Sequence, residues 1–271
     1  MTNRRFSDFN PTEILLAPFN LAASLFELVF CIPFLGRVLK WLWNSILTLG
    51  HFLVGLVEYA AWAAGFRPQK KIRIGFLILK DEHGEPLTTM EKVLPAVEKT
   101  REVFANAQIE VVPAFSTPKR LSESGDLSEA VRWARIVQAP STKRLLKVGC
   151  NQVATLQDFG LHGTTYQFQT LASSFNTSFR RFSGYGAPIT IFVVQDLDGF
   201  GGCSLGWLSD YITVKYNSLG TTTHELGHAC NLLHRKDELN LMHPSSPRQP
   251  TVHLTTWQTA MLRASRHVTL Y

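Results

Sequence analysis

The chain has 271 residues, of which 45% are hydrophobic and 18% are charged, and its formal net charge is +6. This composition is typical of a folded protein and excludes an intrinsically disordered chain. No DNA- or RNA-binding motif accompanies the positive charge, so we predict no nucleic-acid partner.

The first part of the chain is much more apolar than the rest. Two apolar runs cover 14–36 and 41–66, and Arg37 and Lys40 lie between them. Each run exceeds the roughly 20 residues that cross the apolar core of a bilayer. We therefore predict two apolar helices that form a membrane-inserted hairpin over 12–66 and anchor the protein to lipid.

Both runs carry polar residues at helical spacing. In the second run these residues are Asn44, Thr48, His51, Gly55 and Glu58, and in the first run they are Asn20, Ser24, Glu27 and Cys31. Packing the two stripes against each other would keep their polar groups away from lipid. Two alternatives are amphipathic helices that lie in the membrane interface and a hydrophobic subdomain packed on the rest of the chain.

The predicted organisation has four parts. An N-terminal tail (1–11) precedes the hairpin, a basic linker (67–71) follows it, and a globular domain occupies 72–271. Two membrane crossings place both ends of the hairpin on one side. The basic flanks then favour the cytoplasmic side for the globular domain, whereas a single crossing would place that domain outside. The predicted localisation is membrane-associated, with the cytoplasmic side favoured for the domain.

The globular part begins with a strand–helix–strand pattern. Residues 70–80 predict a buried strand, 88–107 a helix that Pro95 would kink, and 109–115 a second strand. This order predicts a parallel strand pair joined by a right-handed crossover.

Further elements follow in chain order. The patterns predict a helix at 127–139, a short strand at 144–150, a helical segment at 165–175, strands at 188–197 and 210–216 on either side of a glycine-rich segment, and a C-terminal helix at 254–265.

Three histidines and one glutamate are concentrated in "HELGHACNLLH", which covers 224–234. On a helix, His224 and His228 lie one turn apart on the same face, where two imidazoles can bind one zinc ion. Glu225 flanks them and can reach a water molecule beside the metal. His234 can join them only if the helix ends soon after His228, and Asn231 tolerates the left-handed conformation that ends helices.

The start of this helix decides the direction of Glu225. A capping box formed by Thr222 and Glu225 would direct the glutamate back to the chain. We instead predict a start near Asn217, a favourable N-cap residue, which leaves Glu225 inside the helix.

This segment resembles the metzincin zinc endopeptidases, whose motif is H-E-x-x-H-x-x-G-x-x-H, with Asn231 in place of the family's glycine. Met242 follows His234 by eight residues, as in the family's methionine turn. That spacing, with Gly227 and Pro244, looks most like the matrixin branch. The resemblance implies an α+β fold with a twisted mixed sheet, a backing helix, an active-site helix, the methionine turn and a C-terminal helix.

The resemblance also implies a function and a set of residues. The chain would be a zinc endopeptidase with one catalytic Zn²⁺, and the predicted apolar hairpin, which the resemblance does not cover, would anchor it to the membrane. The alternative is a catalytically silent zinc-binding membrane scaffold or binding protein. The implied zinc ligands are His224, His228 and His234, the general base is Glu225, and the packing floor is Met242. The residues that would bind a peptide or protein substrate are Gly202, Cys203, Ser204, Pro244 and Ser246.

Nearby residues have simpler interpretations. His243 is predicted to be a turn residue and not a fourth metal ligand, because a fourth ligand would close the site. Asp196 and Asp198 are predicted to lie in a solvated turn, and calcium is not supported. Cys203 and Cys230 are predicted to be buried thiols.

Overall fold

The computed structural model describes residues 35–115, 129–137, 146–147, 186–204, 211–245 and 252–270. The predicted first helix of the hairpin and the predicted helical segment at 165–175 lie outside the described residues.

Within these residues the chain forms five α-helices and seven strands. In chain order the elements are α1 (Leu35–Ala63), β1 (Lys70–Leu79), α2 (Leu94–Ala105), β2 (Ile109–Pro113), α3 (Ala130–Trp133), β3 (Ala134–Val137), β4 (Ile189–Val194), β5 (Gly202–Ser204), β6 (Tyr211–Lys215), α4 (Thr222–Ala229), α5 (Thr256–Arg263) and β7 (Val268–Thr269). Short 3-10 turns at Met90–Val93 and Leu219–Thr221 precede α2 and α4.

The strands form one mixed sheet, as predicted. Its order is β2-β1-β4-β6-β5, and β3 and β7 also pair with β1. Strand β1 is parallel to β2, β3 and β4, and β4 is parallel to β6. Strands β5 and β7 are antiparallel to their neighbours. The parallel pairing of β1 and β2 confirms the expectation from the strand–helix–strand pattern.

Strand β1 lies at the centre of the sheet because both of its faces are apolar. Ile74, Phe76 and Ile78 pack in the core that contains residues of α2 and α4. Leu77 and Leu79 pack on the opposite face with Phe192, Tyr211 and other apolar residues. A strand that is buried on both faces shows a continuous apolar run, which is why the sequence pattern located it well.

Two local predictions were wrong. Pro95 lies in the first turn of α2 and begins the helix without kinking it, since proline lacks only an N–H that has no helical partner there. Ala134–Val137 forms β3 and not part of a helix. It pairs in parallel with Phe76–Leu79, and sheet pairing of a segment with branched residues overrides its helical spacing.

The polar stripe of α1 faces the globular part. His51 is 6% exposed, and a Cβ atom at Gly55 would lie only 2.5 Å from Met261 Sδ in α5. His51, Gly55 and Glu58 of the stripe therefore pack against the globular part, and the predicted packing against the first apolar run lies outside the described residues. None of the helices in the described ranges is both long and apolar enough to cross a membrane.

Glu58 joins α1 to two buried cations. Its carboxylate pairs with the ammonium of Lys70 and accepts a hydrogen bond of 3.1 Å from Arg263 Nε. The Arg263 side chain is fully buried, and its other nitrogens donate to the carbonyl oxygens of Ala107 and Pro68. Glu58 thus supplies the negative charge that the buried guanidinium requires.

We expect Glu58→Gln to lower the free energy of unfolding by about 2 kcal/mol, because it leaves buried positive charge without a counter-ion. Chemical denaturation of the full chain measures this. The matched control is Glu110→Gln, whose partner Lys71 lies 3.7 Å away at the surface, and it should change stability by less than about 0.5 kcal/mol. Equal effects of the two substitutions on the free energy of unfolding would contradict the role of Glu58 as the counter-ion of the buried cations.

Candidate metal centre

Helix α4, which carries His224 and His228, begins without a side-chain cap. The 3-10 turn starts at Leu219 after Ser218, two residues beyond the predicted Asn217 start, and neither turn nor helix has a side-chain N-cap hydrogen bond. The Thr222 hydroxyl instead donates to the Leu219 carbonyl oxygen at 2.7 Å. The capping box is therefore absent, and the Glu225 side chain is not directed back to the start of the helix.

The end of α4 follows the prediction closely. Asn231 has a φ of 67°, in the left-handed region. Its N–H donates to the His228 carbonyl oxygen, and the Leu232 N–H donates to the Gly227 carbonyl oxygen, each at 2.9 Å. These two bonds form a Schellman motif, which reverses the chain after the helix. The reversal returns His234 toward the helix.

Three imidazole nitrogens converge at this point. His234 Nε2 lies 3.3 Å from His224 Nε2 and 3.0 Å from His228 Nε2. One ligand atom from each ring lies within 4.8 Å of the others. His224 and His228 are half-buried and His234 is exposed, so the group opens to solvent on the side of His234.

Backbone carbonyls determine the tautomers of two of these rings. His224 Nδ1 donates to the Leu241 carbonyl oxygen and His228 Nδ1 donates to the Leu232 carbonyl oxygen, both at 2.8 Å. Burial lowers the pKa of His224 and lowers that of His228 to about 4. Both rings are thus neutral near neutral pH, and their Nε2 atoms present lone pairs to the shared point.

The separations of the three ring nitrogens match metal coordination better than hydrogen bonding among the rings. A single proton on His234 Nε2 can satisfy only one of the two facing lone pairs. Zinc–nitrogen bonds of about 2.0–2.1 Å in a tetrahedral arrangement hold neighbouring nitrogens about 3.4 Å apart. The observed separations of 3.0 and 3.3 Å are close to that value. This three-histidine group could therefore hold a metal ion.

Glu225 lies beside the group, against the edge of the sheet. It is 7% exposed, and burial raises the pKa of its carboxyl to about 7. A Cβ atom at Gly202 in β5 would lie 2.6 Å from Glu225 Cγ and 2.9 Å from Glu225 Oε1. Only glycine leaves room for the carboxyl group at this position, so Gly202 shapes the site from the side of β5.

Met242 lies beneath α4. It is fully buried, and a Cβ atom at Gly227 would lie 2.4 Å from Met242 Sδ. The methionine therefore supports the helix directly between its two histidines. The expected role of Met242 as a packing floor under the imidazoles stays a prediction.

An amide pair that sequence reasoning missed holds the methionine turn. Asn240 and Gln258 exchange two side-chain hydrogen bonds of 2.8 and 2.9 Å, and Asn240 Oδ1 also accepts from the Met242 N–H at 3.0 Å. Gln258 belongs to a capping box with Thr255 at the start of α5. The sequence signal was the T-x-x-Q pattern of that box, but nothing in the sequence linked it to Asn240.

The remaining predicted residues have different surroundings. Cys203 is disulfide-bonded, which corrects the prediction of a buried thiol. Cys230 is a buried free thiol, as predicted. Ser204 lies in β5 with Gly202, Pro244 is exposed beside the methionine turn, and Ser246 lies outside the described residues.

Two nearby side chains are engaged outside the histidine group. His243 Nδ1 lies 3.0 Å from the Ser245 carbonyl oxygen within the turn. The Asp196 carboxylate accepts a hydrogen bond of 3.0 Å from Lys215, and this contact lowers the pKa of Asp196.

Comparisons with known proteins do not assign the chain to a family. No protein-family model matches the chain, and no curated protein matches it. Among solved structures, the chain is similar to metalloproteinase-II from Bacteroides fragilis, with 12% sequence identity and a TM-score of 0.42. The match covers 71% of this chain and 53% of that chain, about half the length of the solved protein. Any interpretation of the site therefore depends on the geometry of its residues.

We expect zinc to raise the unfolding temperature of metal-depleted protein, because an ion that binds only the folded state stabilises it by about 4 kcal/mol at a thousand times its dissociation constant. His234→Ala should remove most of this stabilisation and the bound zinc, as measured by calorimetry and elemental analysis. His83→Ala, at an exposed histidine outside the group, is the control. Full zinc occupancy in His234→Ala would show that His234 is not a zinc ligand.

Proposed function

We propose that the chain is a zinc-dependent endopeptidase. The observation that carries this proposal is the convergence of three imidazole Nε2 atoms beside a buried glutamate at the edge of a sheet. Zinc suits this set because neutral imidazoles are among its preferred ligands, and three of them leave a coordination position open. When bound there, zinc acts as a Lewis acid that activates water and polarises the scissile carbonyl group.

The protein's own residues complete the reaction. In the carboxylate form, Glu225 accepts a proton from the attacking water at a side-chain oxygen and then donates that proton to the nitrogen of the leaving amine. Contact with Gly202 limits the movement of this side chain. The Leu241 and Leu232 carbonyl oxygens keep His224 and His228 in the tautomer that presents Nε2.

The substrate class follows from the position of β5. Within the described residues β5 is the last strand in the sheet order, and Gly202 places it against Glu225. We propose that a peptide lies extended along β5, beside Gly202, Cys203 and Ser204, because an extended segment can add to the edge of a sheet. Pro244 and Ser246 would then form a wall for the side chain that follows the cleaved bond.

The alternative function is a zinc-binding protein without turnover.

We expect Glu225→Gln to keep zinc bound and to lower kcat by about a thousandfold, because the amide cannot accept the proton. Cleavage of a peptide library and zinc content measure the two properties, and Glu238→Gln, at an exposed glutamate after His234, is the matched control. Zinc binding without cleavage in the unsubstituted chain would favour the silent alternative.

We also propose that α1 contacts the membrane interface. Opposite its packed stripe, α1 carries an exposed apolar side formed by Leu42, Ile46, Leu49, Leu53 and Val57, with exposed fractions from 47% to 69%. Basic residues occur in the sequence at both ends of this side, Arg37 and Lys40 before it and Arg67 after it. An apolar surface flanked by positive charge suits a lipid surface with anionic headgroups.

We expect the full chain to float with vesicles of phosphatidylcholine and phosphatidylserine in a density gradient. The double substitution Leu49→Glu and Val57→Glu should reduce the bound fraction severalfold, because it places negative charge on the apolar side. Leu270→Glu, at a residue 58% exposed in another region, is the control. Unchanged flotation of the double variant would exclude α1 as the lipid contact.

A further inference from the structure

Helix α1 reaches the metal centre through His51. Its Nε2 lies 3.2 Å from the Met261 carbonyl oxygen, and its Nδ1 lies 2.8 Å from Asn231 Nδ2. A neutral imidazole with its proton on Nε2 satisfies both contacts, because it donates to the carbonyl and accepts from the amide. Burial lowers the pKa of His51 and favours this neutral form.

The partner of His51 is the residue that reverses the chain after α4. Asn231 has left-handed backbone, and the next residue, Leu232, supplies the carbonyl oxygen that orients His228. His234 follows two residues later. A change in the backbone at Asn231 would therefore move both the group that orients the second imidazole and the third imidazole itself.

His51 is held firmly enough to act on this turn. Gly55 and Glu58 share its helical face, at i+4 and i+7. Close contact of Gly55 with Met261 and the ion pairs of Glu58 with Lys70 and Arg263 attach α1 on the same side. The position of the imidazole is thus determined by several contacts besides its own hydrogen bonds.

We propose that His51 is a positioning residue of the metal centre: its hydrogen bond to the Asn231 side chain holds the turn that orients His228 and returns His234. This inference rests on the proposed zinc site. It also gives a role to the asparagine that stands where the metzincin motif has glycine. Glycine allows the same backbone conformation but offers no side chain to α1.

A double-mutant cycle on the full chain tests the proposal. His51→Leu removes the acceptor, and Asn231→Gly removes the donor while it keeps the left-handed backbone accessible. Each substitution should weaken zinc binding about tenfold, in the range found for groups that orient metal ligands. The double variant should bind zinc no more weakly than the weaker single variant, because all three lack the same hydrogen bond.

Zinc dissociation constants come from competition with a chelator, at a temperature where each variant is folded. The visible absorption of the Co²⁺-loaded protein reports the coordination geometry, and it should change in His51→Leu and in Asn231→Gly. His83→Leu is the matched control: it makes the same substitution at an exposed histidine outside the group, and it should leave both readouts unchanged. His51→Gln, which retains an acceptor, should recover part of the zinc affinity.

The possible outcomes separate the inference from the proposed function. Zinc affinity and a Co²⁺ spectrum in His51→Leu equal to those of the unsubstituted chain would overturn the positioning role and leave the endopeptidase proposal intact. An unsubstituted chain that binds no zinc would reject both. A chain that binds zinc without cleaving peptides, and binds it more weakly in His51→Leu, would support the inference and reject the peptidase.

Discussion

The candidate metal centre depends on one backbone conformation, the left-handed residue that ends helix α4. Asn231 allows the Schellman motif to form. In this motif the Asn231 N–H donates to the His228 carbonyl oxygen and the Leu232 N–H donates to the Gly227 carbonyl oxygen. A helix that continued past this point would carry His234 away from His224 and His228. Because the chain reverses here, His234 Nε2 lies within 3.3 Å of both other Nε2 atoms.

The elements around this turn orient the rings with main-chain groups. The Leu232 carbonyl belongs to the turn itself, and the Leu241 carbonyl belongs to the methionine turn, which the amide pair of Asn240 and Gln258 joins to α5. Main-chain carbonyls in tight turns have little freedom to move. These groups hold the imidazoles in the orientation that a metal ion requires. The side chains therefore lose little conformational entropy when the ion binds.

Helix α1 has the reverse of the usual amphipathic arrangement. His51 and Glu58 on its polar side are packed against the globular part, while the apolar side formed by Leu42, Ile46, Leu49, Leu53 and Val57 is exposed. The buried polar contacts are matched by partners of suitable charge and hydrogen-bonding type, which makes their burial tolerable. The same helix thus has an exposed apolar surface on one side and a hydrogen bond to the turn beside the three-histidine group on the other.

The sequence by itself determined the elements whose signals are local. The spacing of the histidines predicted their convergence, Asn231 marked the end of α4, and continuous apolar runs located the buried strands, because helical rotation, left-handed propensity and burial are properties of neighbouring residues. Tertiary structure alone decided that Ala134–Val137 is a strand and that Gly202 makes room for Glu225. It also decided that His51 and Gly55 of α1 face α5 and that His51 is hydrogen-bonded to Asn231. These features arise from contacts between segments far apart in the chain, and periodicity within one segment does not specify its partner.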